Sequence, residues 1–267
     1  MLEKRIVVKV GTSTLTHPSG ALNLRSMEGL VRVLADLQNA GHQVVLVSSG
    51  AIAVGVARIG LPERPSSLRM KQAAAAVGQC RMMHLYDKLF GEYNRTVAQI
   101  LLTGDDVDDP SRTEHLRRTF SALLELGVIP VVNENDSVSS AEIETGSHKV
   151  LGDNDTLSAI VAELCGADLL VLLSDIDGLY SADPRQDPKA HLLEEVTELN
   201  SHILEMAGGA GSRRGTGGMA TKLSAARIAM EAGCDMVISN GARPRDLYGI
   251  VAGERIGTRF IAKKGRN

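Results

Sequence analysis

At 267 residues, with 43% hydrophobic and 23% charged residues and a net charge of −3, the chain has the composition of an ordinary soluble globular protein. That charge gives no electrostatic case for nucleic acid, and with 3% aromatic residues and no Trp there are no stacking platforms for single strands. No stretch approaches a membrane span and the first residues lead into a strand rather than a signal-type run, so a cytoplasmic protein acting on small molecules is expected.

The length lies near the upper size of one hydrophobic core and admits one large domain or two unequal lobes. Cys80, Cys165 and Cys234 are odd in number, far apart and set in apolar contexts, which reads as three buried, reduced packing residues.

In chain order, Arg5–Val10 is a β-branched run that reads as a buried strand ending at Gly11-Thr12-Ser13. Lys9 is anomalous there. A lysine inside an apolar strand costs free energy unless its ammonium finds a partner, so it is either an edge residue reaching water or one that points at a site. A helix over about 24–40 leads to a second buried strand, Gln43–Ser48, and to a turn of small residues, Ser48-Ser49-Gly50-Ala51. An Ala-rich helical stretch covers 66–92, in one or two pieces because Gly78 interrupts it. Thr96–Thr103 and Val128–Asn133 read as strands, with a helix at about 111–126 between them. Residues 137–151, polar and with Gly146 among them, read as a hairpin or lid.

Gly152-Asp153-Asn154-Asp155-Thr156 then opens a helix whose apolar face is Leu157, Ile160, Val161 and Leu164. One of these polar residues suffices as a cap; the surplus beside a lid suggests a second task. Asp168–Leu173 is another strand, ending at Ser174-Asp175, before an excursion punctuated by Gly178 and Asp183-Pro184. Glu194–Glu205 alternates charged and apolar residues and reads as a solvated helical face. The glycine-dense, basic Gly208–Gly218 runs into a helix with Met219, Leu223, Ala226 and Met230 on one face and Gly233 as its stop. A strand at Asp235–Ser239, a helix near 244–252, a strand at Thr258–Ala262 and a frayed basic end at 263–267 follow.

The recurrence of strand, small-residue turn and helix predicts an α/β protein, with a mostly parallel sheet and helices on both faces. Ligands of such sheets lie beyond the carboxyl ends of the strands. Those loops hold Gly11-Thr12-Ser13, Ser48-Ser49-Gly50, Asn133-Glu134-Asn135-Asp136 and Ser174-Asp175-Ile176-Asp177-Gly178.

Gly215–Lys222 reads either as a flexible loop capping an ordinary helix or as a turn built to hold an anion. Its glycines allow close backbone approach, the helix start behind them offers unpaired N–H groups, and Lys222 adds a full charge. It is not a P-loop, because Leu223 rather than Ser or Thr follows Lys222. No Gly-x-Ser-x-Gly elbow, metal-ligand spacing of histidines or Cys/His pairing is present. The set suits phosphoryl transfer, which is mainly positioning and neutralisation of charge. Two lysines favour an acceptor that is already anionic, a carboxylate, which needs cations to bring it against a triphosphate rather than a base to deprotonate it. An acidic residue at a helix start keeps a low pKa, which suits Asp155 to orienting lysines and not to shuttling protons.

Six motifs, in order and over nearly the whole chain, resemble the glutamate 5-kinase family of the amino acid kinase fold. They are Val8-Lys9-Val10-Gly11-Thr12-Ser13, Val47 through Ala53, Asn133 through Asp136, Gly152 through Asp155, Asp177-Gly178-Leu179-Tyr180 with Asp183-Pro184-Arg185, and Gly215 through Lys222. The resemblance implies a three-layer αβα sandwich, a single domain over 1–262, and transfer of the γ-phosphate of ATP to the side-chain carboxylate of L-glutamate, the first step toward proline. Carried over by motif, Lys9 and Lys222 stabilise the transferring phosphoryl group and Asp155 holds both. Ser49, Gly50, Asp136 and Asn154 bind glutamate. Lys9, Ser174, Asp175, Thr216, Gly217, Gly218, Met219, Ala220, Thr221 and Lys222 bind ATP, with Tyr180 and Asp183 near the nucleotide and Mg2+ carried on phosphate oxygens. The resemblance also implies a homo-oligomer and proline as feedback inhibitor; as a departure from it, the chain reads as a short form without the C-terminal PUA domain of many members. Glu142–Leu151 is longer than in the shortest versions, so no lid contact is carried over. The alternatives are another enzyme of the fold, such as acetylglutamate kinase or carbamate kinase, or a sensor that binds without turnover; the Asn133–Asp136 and Gly152–Asp155 motifs speak against the first and the two lysines with Asp155 against the second.

Overall fold

The computed structural model describes residues 3–138, 153–184, 187–208 and 218–263. In chain order the elements are β1 (Arg5–Val10), α1 (Thr12–Leu15), α2 (Leu24–Asn39), β2 (Gln43–Ser48), α3 (Ala51–Ile59), α4 (Leu68–Gly91), β3 (Val97–Leu102), α5 (Gly104–Asp108), α6 (Pro110–Glu125) and β4 (Ile129–Glu134). Then follow α7 (Asn154–Cys165), β5 (Leu169–Ser174), β6 (Glu195–Val196), α8 (Ser201–Gly208), α9 (Met219–Glu231), β7 (Asp235–Asn240), α10 (Asp246–Ala252) and β8 (Thr258–Phe260).

The strands form one eight-stranded sheet in the order β3-β4-β2-β1-β5-β7-β8-β6. From β3 to β7 every pairing is parallel, β8 runs antiparallel to β7, and β6 runs parallel to β8. Both faces are covered, as the near-continuous hydrophobic strands require. Strand alternation sends Ile6, Val8 and Val10 to the side packed by α2, α4 and α10. It sends Val7 to the side packed by α6, α7 and α9. Lys9 shares the parity of Val7, so β1 aims it at the layer made by α7 and α9. The sandwich expected from the sequence is therefore present, with an antiparallel margin.

Helix α4 passes unbroken through Gly78 because the residue is a contact point rather than a break. A Cβ at Gly78 would lie 1.8 Å from the Ala51 carbonyl oxygen, and one at Gly55 would lie 1.8 Å from that of Ala74, so α3 and α4 cross backbone to backbone. Gly78→Ala is expected to cost at least the ~1–3 kcal/mol of an overpacked core, read as a lowered midpoint in urea unfolding. An unchanged midpoint would show that the crossing yields freely.

Two expectations need correction. Glu194–Glu205 is not one solvated helical face: Val196 is buried, the backbone at 195–196 pairs with β8, and the helix begins only at Ser201. Tertiary pairing overrides the local charge alternation here. Cys165 and Cys234 are buried, but Cys80 is exposed, because α4 buries the i, i+4 row of Ala74, Gly78 and Met82 and Cys80, two residues on from Gly78, turns outward. The hairpin or lid expected over 137–151 lies outside the described residues from 139 onward. No helix among the described residues is long and apolar enough to cross a membrane.

Candidate active site

Lys9 lies on a central strand, flanked by Val47 of β2 and Leu172 of β5, which removes the edge-strand reading. Its partner is Asp155 in the first turn of α7. Lys9 Nζ stands 2.7 Å from Asp155 Oδ1, and Lys222 Nζ stands 3.1 Å from Oδ2. Asp155 is 1% exposed and Lys222 is 5% exposed. Thr221, beside Lys222 on α9, places its hydroxyl 3.1 Å from the same Oδ2 and 2.8 Å from the Gly218 carbonyl. Burial acts to raise the Asp155 pKa, but the two ammonium groups outweigh it and hold the carboxyl below its ordinary value. The group is an anion at neutral pH, flanked by cations from the first strand and the ninth helix.

The surplus of polar residues at the start of α7 divides its tasks. Asp153 is the cap: its Oδ1 accepts from the backbone N–H of Asp155 at 2.7 Å and of Thr156 at 2.9 Å. That frees Asp155 for the lysines. Asn154 keeps a buried Oδ1 with no hydrogen-bond partner among the described residues, an acceptor that a bound donor would satisfy.

The turns at the ends of β1 and β2 adjoin. Ser49 is buried and its N–H donates to the Val10 carbonyl at 3.1 Å. Gly50, the N-cap of α3, has φ +108°, a conformation that favours glycine, and it faces the Thr12 side chain. Gly11 is equally close to the chemistry, because a Cβ there would stand 3.7 Å from Lys9 Nζ. Asp136 follows β4 by two residues. Its pKa is pushed up to about 6, by burial first and the neighbouring Glu134 second, with Arg64 opposing.

On the side of the expected nucleotide site, Ser174 ends β5 and its hydroxyl lies 3.1 Å from Asp175 Oδ1. Gly218 is the N-cap of α9 and supplies no side-chain cap, so the N–H groups around Met219, Ala220 and Thr221 are left without one. Thr216 and Gly217 lie outside the described residues. Tyr180 and Asp177 stand together (3.4 Å), and Asp177 accepts from Asn240 at 3.0 Å and from Arg243 at 2.7 Å.

Sequence reasoning missed two supports. The Tyr86 hydroxyl on α4 is 2.7 Å from Ser48 Oγ in the core, and Gln79 of the same helix accepts from Asn133 at 3.1 Å. The available signal was a polar residue recurring inside an Ala-rich helix.

An αβα sandwich that aims two lysines and a carboxylate beyond the ends of its parallel strands has the layout of a phosphate-handling α/β enzyme. Residues 4–240 match the amino acid kinase family. The chain is 55% identical to glutamate 5-kinase from Clostridium perfringens, over 98% of this chain and 97% of that protein. It is 56% identical to glutamate 5-kinase from Carboxydothermus hydrogenoformans, over 98% of this chain and 68% of that one. Among solved structures, carbamate kinase from Giardia lamblia superposes with a TM-score of 0.66 at 17% identity, over 98% of this chain and 99% of that one, a likeness of fold alone. The chain belongs to the amino acid kinase family and, within it, to the glutamate 5-kinases.

Proposed function

We propose that the chain transfers the γ-phosphate of ATP to the side-chain carboxylate of L-glutamate, giving L-glutamyl 5-phosphate, the first step of proline biosynthesis. The observation that carries this is the buried Asp155 gripped by Lys9 and Lys222. A carboxylate that is held ionised cannot act as a general acid, and the acceptor carboxylate needs no base. What remains for the protein is neutralisation: the two ammonium groups, fixed by one anion, meet the negative charge that gathers as acceptor and phosphoryl group approach.

In this reading Ser49, Gly50, Asp136 and Asn154 hold glutamate, while Ser174, Asp175 and the segment from Thr216 to Lys222 hold ATP. The uncapped start of α9 and the small residues about it fit a polyphosphate. Mg2+ would be carried mainly by phosphate oxygens, as its small, octahedral and hydrated preference allows, and would supply charge neutralisation there. We further propose a single-domain, cytoplasmic, homo-oligomeric enzyme inhibited by proline at or overlapping the glutamate site. Glutamate-dependent formation of a hydroxamate from ATP in the presence of hydroxylamine tests the reaction; ATP consumption indifferent to glutamate would remove it.

Asp136 separates glutamate from N-acetylglutamate. Burial and the neighbouring Glu134 raise its pKa further than Arg64 lowers it, and the α-ammonium of glutamate supplies a further cation where the acetylated substrate has none. Leaving it unpaired costs on the order of 1–3 kcal/mol. Glutamate should therefore be turned over far faster than N-acetylglutamate, and Asp136→Asn should raise the glutamate KM strongly. The sign with pH follows: below about pH 6 Asp136 takes up a proton and loses its hold on the ammonium, so KM rises as pH falls through 6. Glutamate binding near that pH should release protons. Equal rates on the two substrates, or a KM flat from pH 5 to 8, would remove Asp136 as the partner of the substrate ammonium.

A further inference from the structure

We propose that Gln79 is a specificity-determining residue that receives the α-carboxylate of the amino-acid substrate, in the cavity where Asp136 receives its α-ammonium. The inference rests on the reading of the chain as a glutamate kinase. A cavity of ≈ 400 Å³ opens beside the β2–α3 turn, bounded by Ala51 at the start of α3, by Ala75, Gln79 and Met83 of α4, by Gln99 of β3 and by Asp136. That volume suits a small ligand.

The amide of Gln79 is oriented before any ligand arrives. Asn133 is buried at the end of β4, and its Nδ2 donates to Gln79 Oε1 at 3.1 Å. The bond occupies the oxygen and leaves Nε2, with its two N–H donors, to the cavity. No described residue accepts from that nitrogen. The backbone cannot drift either, because the adjacent Gly78 lies against Ala51, where even a Cβ would come within 1.8 Å of the carbonyl oxygen. The cavity wall thus joins an acidic stretch, Glu134 and Asp136, to a fixed neutral donor. Such a surface complements an α-amino acid zwitterion: the ammonium goes to the carboxylate and the α-carboxylate to the amide. The side-chain carboxylate of the substrate remains for the lysines.

The test uses Gln79→Glu and Gln79→Leu. Glutamate at this position keeps an oxygen that accepts from Asn133 and so preserves the bond between α4 and β4, but it replaces two donors with an anion. Leucine removes both. Kinetics by hydroxamate trapping, at saturating ATP, would give KM and kcat for L-glutamate. The Ki of 4-aminobutanoate, which is glutamate without its α-carboxylate, would be measured as a competitor. Expected is a rise in glutamate KM of about 10- to 100-fold in both variants, the range for losing a hydrogen bond to a charged group, with the loss in KM rather than kcat and the Ki of 4-aminobutanoate little changed. A glutamate KM unaltered in Gln79→Glu would overturn the assignment while leaving the kinase reading intact. So would equal weakening of glutamate and 4-aminobutanoate, which is the mark of a merely structural role. If Gln79→Leu fails to fold by circular dichroism, the near-isosteric Gln79→Glu decides alone. A wild-type protein that makes no hydroxamate from glutamate would overturn the functional reading and this inference with it.

Discussion

Alanine at Lys9 or at Lys222 is expected to lower kcat about 10²–10³-fold, the loss typical of removing one donor aimed at transition-state charge. Both ammonium groups end on the carboxylate of Asp155, at 2.7 and 3.1 Å, so each is pinned in place before substrate arrives. The lost side chain takes with it a charge whose position needed no reorganisation. Because the remaining lysine still faces Asp155, either variant should fold, and KM for glutamate should move less than kcat. Single-turnover measurements with the hydroxamate assay, on protein whose circular dichroism matches the wild type, would check this. Near-normal turnover in a folded variant would remove that lysine from the mechanism.

Asp155→Asn should be more damaging, since it touches the fold and the chemistry together. The amide can still accept a hydrogen bond but leaves two cations facing each other in a dry site. Breaking a buried ionic cluster from one side costs about 3–5 kcal/mol. In the wild type the folded-state pKa of Asp155 is depressed. Its contribution to stability is therefore fully present above the unfolded carboxylate pKa, near 4, and is lost as pH falls through the lower folded value. The gap in urea midpoint between wild type and Asp155→Asn should be widest at neutral pH and should close in acid. Turnover should fall at least as far as in the lysine variants. A gap that stays constant down to pH 3 would mean that the charge of Asp155 is not what stabilises the site.

The sheet was legible because its strands are buried on both faces and read as continuous β-branched runs; Arg5–Val10 and Gln43–Ser48 lie where the pattern put them. The role of Lys9 as an inward residue was legible only as one of two options, since periodicity cannot tell a central strand from an edge. The pairing of β1 with both β2 and β5 decides it. The acidic helix start announced more polar residues than a cap requires, but only the folded contacts assign Asp153 to the cap and Asp155 to the lysines. Tyr86 and Gln79 escaped because their partners, Ser48 and Asn133, are 38 and 54 residues away, and no local pattern encodes that distance. Cys80 was misjudged for a different reason: the Ala-rich stretch before it reads as buried, yet Cys80 stands between Gln79 and Arg81 on the outward side of α4.

One carboxylate joined to a lysine of the first strand and to a lysine of a helix that begins at Met219 also bears on how the protein is made. A nascent chain can lay down β1, β2 and their helices early, yet the three-charge cluster at its heart stays incomplete until α9 has left the ribosome and docked. Until then Lys9 and Asp155 meet with one cation missing, and no partially synthesised species can act on substrate. Contacts that span most of the chain form late and slowly. In refolding, helical signal should therefore return before activity does, and the interval between them would time the closing of the site.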